Sequence, residues 1–157
     1  AATVRGRAGL HGLLLNAGIV HPPRHRQTTA DGHEIVFATN ALGHYALAGE
    51  LLLPLAAGRG RMVWVGSMST SMWAYDPIDP ELENGYTPWR AYVQSKVATT
   101  ALGFEADRRL RAASVPIATR PSSTKAVAGI PMPWRDRIWL ARSLSRLLAM
   151  PHEVLGV

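Results

Sequence analysis

The segment Tyr92-Val93-Gln94-Ser95-Lys96 places a phenol and an ammonium four residues apart. On a helix, residues i and i+4 stand one above the other, so the two groups share a face, with Ser95 and Thr99 beside them. A phenol is a poor acid–base group at neutral pH. An ammonium about 4.5 Å away, at an effective dielectric of ~20, favours the phenolate by roughly 3–4 kcal/mol. Such a phenol can give a proton to the alkoxide that develops when a carbonyl accepts hydride, and can take one when an alcohol is oxidised. The spacing alone carries little weight, because an exposed lysine over a half-buried tyrosine is an ordinary surface arrangement.

Further polar residues stand where apolar runs stop. The run Leu10 to Leu15 ends at Asn16-Ala17-Gly18, and the run Arg61 to Gly66 ends at Ser67. Taken singly, Asn16 and Asn40 are as readily turn or capping residues as functional ones, and Ser67 is a strand-end hydroxyl bonded to backbone.

Their order along the chain adds information. LLLNAG at Leu13 to Gly18, TNALGHYAL at Thr39 to Leu47, RMVWVGSMS at Arg61 to Ser69 and the Tyr92/Lys96 pair together resemble the short-chain dehydrogenase/reductase family. The resemblance implies an enzyme that interconverts an alcohol and a ketone or aldehyde by hydride transfer with NAD or NADP. It makes Tyr92 the general acid and base and Ser67 the hydroxyl bonded to the substrate oxygen. Lys96 becomes the ribose-binding cation, and Asn40 holds a water in the proton relay. It sets Asn16, Ala17 and Gly18 along the adenosine side of the cofactor, and Pro121 and Ser122 near the nicotinamide, where the family has Pro-Gly. Gly66 replaces the first serine of the family's strand motif. Ser67 and Tyr92 lie 25 residues apart, which suits a branch akin to retinol-dehydrogenase-like and ketoreductase-like members.

These residues need a scaffold. Leu10 to Leu15, Arg61 to Gly66 and Val115 to Thr119 read as short buried strands, the last broken by Arg120-Pro121. Between them, Leu42, Tyr45, Ala46, Gly49 and Leu53 fall at helical spacing up to about Pro54 and Gly58. Thr87-Pro88 offers an N-cap and a first-turn proline for a helix running to about Ala113. A last amphipathic helix is expected from Trp134 to Met150. Alternating strands and helices predict an α/β fold with a parallel sheet, one domain over residues 1–157. The family opens with a strand, a glycine-rich turn and a helix that hold the cofactor pyrophosphate. No G-x-x-x-G-x-G pattern occurs here. The expectation is therefore a partial Rossmann-like doubly wound sheet, truncated on its N-terminal side and before its last strand. Such a cut invites a partner over the open sheet, including a second copy of the chain.

Composition narrows the alternatives. The 157 residues are 47% hydrophobic, enough for a packed core, and include no cysteine, which removes disulfides, thiolate metal sites and cysteine nucleophiles. No apolar run reaches membrane-spanning length and the start lacks a secretory pattern, so a cytoplasmic protein is expected. The net charge of +6 is scattered; Arg108, Arg109 and Arg111 read as a solvated helix face, and nucleic acid is not an expected partner. The six histidines form no metal-binding pattern, and VGSMS lacks the second glycine of a hydrolase elbow. Trp73, Tyr75, Tyr86 and Trp89 could line a pocket for a small hydrophobic alcohol or carbonyl compound. The rival to catalysis is a family-derived binding or subunit-interaction module docking through Val93, Val97, Ala101 and Phe104.

Overall fold

The structure is a computed structural model describing residues 9–121. Ser122 and the expected helix from Trp134 to Met150 lie outside the described residues. Three parallel strands, β1 (Gly12–Leu15), β2 (Arg61–Trp64) and β3 (Ala118–Pro121), form a sheet in the order β1-β2-β3. Leu15 pairs opposite Trp64, and Trp64 opposite Pro121, so all three strands end level with one another. The first crossover contains α1 (Ile35–Phe37), a π-helical turn (Ala38–Leu42), α2 (Gly43–Glu50) and α3 (Leu52–Ala57). The second contains a 3-10 turn (Met68–Ser71) and the long helix α4 (Pro88–Ala112).

Alternation along the strands decides which sheet face is covered. Leu15, Met62 and Trp64 point to one face and are buried with Ala98 and Leu102 of α4 and Leu51 and Leu55 of the first crossover. Leu14, on the other face, is 63% exposed among the described residues. The two crossovers pack on each other as well as on the sheet.

Local chemistry explains where the helices begin. Thr87 caps α4 by accepting from the Arg90 amide at 3.2 Å, with Pro88 in the first turn, as the sequence predicts. Toward the other end, Glu105 pairs with Arg108 and Arg109, and Asp107 with Arg111, so that basic cluster is an ion-paired helix face. Both Glu34 carboxylate oxygens cap α1, accepting from Val36 N at 3.0 Å and Phe37 N at 2.7 Å.

Two boundaries differ from the sequence reading. The helical stretch ends at Ala57 with Gly58 as its C-cap, as expected, yet it passes through Pro54, because the break comes earlier, at Leu51, and puts the proline in the first turn of α3. Its missing N–H is harmless there. The third strand starts at Ala118 and includes Pro121, since Ser114 adopts a left-handed φ of 54° and residues 115–117 are used in turn bonds from Val115 N to Leu110 O and Ile117 N to Val115 O. Proline is tolerated at a strand end. Val93 and Val97 are buried at 0% and 2% exposure, so half of the apolar face suggested for docking is already covered.

Gly103 lets α4 approach the sheet: a Cβ there would stand 3.0 Å from the Trp64 ring. Gly49 on α2 faces nothing within 4 Å. Gly103→Ala is expected to destabilise by about 1–3 kcal/mol through overpacking. Gly49→Ala should stabilise by up to about 1 kcal/mol through helix propensity. Urea unfolding of the two variants checks the opposite signs.

Candidate active site

The level ends of β1 and β2 bring two loops to the same sheet edge. After Leu15 the chain turns through the exposed residues Asn16, Ala17 and Gly18; after Trp64 it runs through Val65 and Gly66 to Ser67. Helix α4 starts at this edge and delivers Tyr92 and Lys96 from its first turns. The Tyr92 hydroxyl lies 3.4 Å from Ser67 Oγ. That separation exceeds the ~2.7–2.8 Å of a good O–H···O bond, and suits two hydroxyls that both contact a third oxygen. One turn further on, Lys96 is 5% exposed and its Nζ donates to the Val65 carbonyl at 3.1 Å. Burial pushes the Lys96 ammonium below the ordinary lysine range.

Asn40 sits in the π-helical turn with no exposed surface. Its Oδ1 accepts from Ile19 N at 2.7 Å, and its Nδ2 donates to Ile19 O at 3.2 Å and to Ser95 Oγ at 2.9 Å. Ser95 Oγ in turn donates to the Tyr92 carbonyl at 2.7 Å. The Asn40 carbonyl accepts the Thr99 hydroxyl at 2.7 Å. Asn40 thus ties the turn after β1 to the part of α4 that carries Tyr92 and Lys96. Gly18 is required by this closeness, because a Cβ there would lie 2.9 Å from Asn40 Oδ1.

Asn40, Ser67, Tyr92 and Lys96 therefore converge, with Ala17 and Gly18 at the same edge and the Pro121 backbone paired opposite Trp64. Asn16 is exposed beside them. The four aromatics divide. Trp73 and Trp89 are 51% and 46% exposed, and Trp89 stands 6.1 Å from the Tyr92 ring. Tyr75 packs against the main core, while Tyr86 donates to Pro23 O at 3.0 Å and braces a loop. Met68 and Met72, next to Ser67, are 84% and 64% exposed.

Sequence reasoning missed Ser69, Gln94 and His44. Gln94 is buried and latches the loop above the site, accepting from Asp76 N at 3.0 Å and donating to Asp76 O at 3.2 Å. His44, one turn beyond Asn40, is 4% exposed, and its ring lies near the Asn40 and Ala17 backbones without a well-formed hydrogen bond among the described residues. The faint signal for Gln94 and His44 was polarity inside an apolar helical pattern; Ser69, in a serine-rich turn, gave none.

No family model matches the chain. Polyprenol dehydrogenase of Mus musculus is 35% identical over 145 residues, which cover 88% of this chain and 42% of that protein. A short-chain dehydrogenase/reductase of Armillaria gallica is 30% identical over 119 residues, covering 68% of this chain and 37% of that protein. The chain belongs to the short-chain dehydrogenase/reductase family. Among solved structures, an uncharacterized protein from Mycobacterium Paratuberculosis matches with a TM-score of 0.67 and 32% identity, covering 91% of this chain and 51% of that one. A family oxidoreductase from Brucella ovis, in complex with a partially ordered NAD, matches with a TM-score of 0.51 at 24% identity, covering 73% of this chain and 48% of that one. The chain spans less than half the length of these curated relatives. The three parallel strands and their helices are part of the Rossmann-like sheet of short-chain dehydrogenases/reductases. Among the described residues no helix is long and apolar enough to cross a membrane, and no group of three His, Asp or Glu residues could hold a metal ion.

Burial, reinforced by the Lys96 charge, pushes the His44 imidazole below its ordinary value of 6.5. The folded state therefore resists a proton that the unfolded chain accepts, and the stability present above 6.5 is lost as pH falls toward the folded value. Unfolding midpoints measured between about pH 8 and 5 should fall in acid, and His44→Phe should flatten that dependence. A variant as acid-sensitive as the parent would show that another group is responsible.

Proposed function

We propose that this chain supplies the proton-handling machinery of an NAD(P)-dependent oxidoreductase that interconverts an alcohol and a ketone or aldehyde. The observation that carries the reading is the Ser67–Tyr92 hydroxyl pair at 3.4 Å, one helical turn from a buried ammonium. In reduction, the substrate oxygen contacts both hydroxyls, and Tyr92 transfers its proton to that oxygen as hydride reaches the carbonyl carbon. Ser67 stabilises the developing negative charge by hydrogen bonding. Lys96 stabilises the phenolate left on Tyr92, and solvent returns the proton. Oxidation runs the same transfers backwards. The relay role of Asn40 falls to its backbone carbonyl, because both ends of its side chain are bound to Ile19 and Ser95. That carbonyl also accepts the Thr99 hydroxyl, and the His44 ring lies near it.

The residues present fit a nicotinamide cofactor, which when bound supplies or accepts the hydride. Lys96 has three N–H donors, and Val65 O receives one, so others can reach ribose hydroxyls. Asn16, Ala17 and Gly18 are exposed at the carboxyl end of β1, the edge where open parallel sheets bind ligands. The Pro121 backbone ends β3 at the same edge. The NAD in the Brucella ovis protein supports this cofactor class. Exposed Met68, Met72 and Trp73, in the segment that follows Ser67, favour a bulky apolar substrate, in keeping with the polyprenol named in polyprenol dehydrogenase.

With NADH or NADPH and a panel of bulky apolar ketones, cofactor absorbance should report turnover that Tyr92→Phe lowers by about 10²–10⁴-fold. Turnover that survives Tyr92→Phe unchanged would overturn the assignment. Lys96→Met should abolish turnover and raise the melting temperature by about 2–4 °C. Burial makes the charged form costly in the folded state, and methionine keeps the apolar stem without the charge.

A further inference from the structure

Ser67 begins the 3-10 turn Met68–Ser71; Thr70 bonds its carbonyl, and its hydroxyl oxygen meets Ser69 through two contacts. The Ser69 backbone N–H donates to Ser67 Oγ at 3.2 Å, and the Ser69 hydroxyl lies 2.9 Å from the same oxygen. Ser69 is 4% exposed, and among the described residues its hydroxyl has Ser67 Oγ as its one hydrogen-bond partner.

Counting donors and acceptors settles the direction of that bond. A serine oxygen offers two lone pairs and one proton. Were Ser67 to donate to Ser69, the Ser69 proton would be buried with no acceptor among the described residues, which proteins avoid. When Ser69 donates instead, its N–H and O–H fill both lone pairs of Ser67. The Tyr92 hydroxyl, at 3.4 Å, is also within donating reach of Ser67 Oγ and is the longest of the three contacts; with both lone pairs filled by Ser69 it has none to donate to, so the Ser67 proton is directed to that side and the Tyr92 proton is left for a third oxygen. The amide contact alone is enough to cap the turn, so the Ser69 hydroxyl has a separate effect.

We propose that Ser69 is a positioning residue that holds Ser67 as a hydrogen-bond donor, so that Ser67 and Tyr92 present two O–H groups to one acceptor oxygen. The proposal rests on the oxidoreductase reading and deepens it. A site with two fixed donors favours a carbonyl oxygen or an alkoxide, either of which accepts both bonds without offering a proton of its own. The donors need no reorientation as charge develops on that oxygen, which is the condition for effective electrostatic stabilisation.

Two measurements test it. Neutron diffraction from crystals of the chain grown in D2O locates the hydroxyl deuteriums directly. The expected result is the Ser69 deuterium directed at Ser67 Oγ and the Ser67 deuterium directed toward Tyr92; a Ser67 deuterium directed at Ser69 overturns the proposal. In ketone reduction, Ser69→Ala keeps the amide contact and should lower kcat by about 3–10-fold with KM little changed, while Ser69→Thr should restore it. Ser67→Ala should lower kcat by about 10²-fold, and adding Ser69→Ala to it should have no further effect, because the second residue acts through the first. Full additivity of the two substitutions, with melting temperatures unchanged, overturns the proposal. Absence of turnover in the unsubstituted chain counts against the oxidoreductase reading, and the deuterium positions still decide the role of Ser69.

Discussion

A carboxamide cut off from water must find its hydrogen bonds inside the protein, and the Asn40 side chain finds them on two elements that are distant in sequence. One end pairs with the Ile19 backbone just past β1, and the other reaches Ser95 on α4. Leaving such a group unpaired costs ~1–3 kcal/mol, a large share of the stability of a small domain. The turn after β1, the first crossover and α4 are therefore held at one separation. Tyr92, whose carbonyl accepts from Ser95 Oγ, inherits its position from that arrangement. The π-helical turn is the local form of the same constraint: widening the helix at Ala38–Leu42 redirects Asn40 toward both partners and its carbonyl toward Thr99.

The same region carries most of the polar burial in the described chain. Lys96, His44, Gln94, Ser95, Thr99 and Thr100 are all nearly inaccessible, and burial pushes both Lys96 and His44 toward their neutral forms. Thr100 limits the cost by bonding to the Lys96 carbonyl one turn earlier, and Thr99 shares its one hydroxyl proton between the Ser95 and Asn40 carbonyls. The cost is offset elsewhere, by the continuous apolar layer of Leu15, Leu55, Met62, Trp64 and Leu102 between sheet and helices. Groups unfavourable to the folded state thus concentrate where chemistry is proposed, next to the apolar layer that offsets them.

Above the site, the loop between Ser67 and α4 is anchored by polar contacts and leaves its apolar residues outside. Gln94 holds Asp76; Glu81 accepts from the Glu34 amide at 2.7 Å and meets His33 at 2.9 Å; the Arg26 side chain donates to the Glu81 carbonyl at 3.1 Å. Anchored this way, the loop does not need Met68, Met72 or Trp73 for its own packing. Those side chains remain exposed.

Much of this organisation could be read in the residues alone. The four-residue spacing of Tyr92 and Lys96, the Thr87-Pro88 start of α4 and the apolar runs that became β1 and β2 are local properties, governed by helical and strand periods and by capping chemistry. The family motifs pointed to Asn40 and Ser67 before their surroundings were visible. Other features depended on contacts between residues 21 to 59 positions apart, which no local period encodes. The π-helical turn, the need for glycine at position 18 and the division of the four aromatics between packing and exposure belong to this group, as does the late start of β3. The Ser69 bond spans two residues, yet its direction follows from burial, and burial is decided only when helix and sheet have closed over the site.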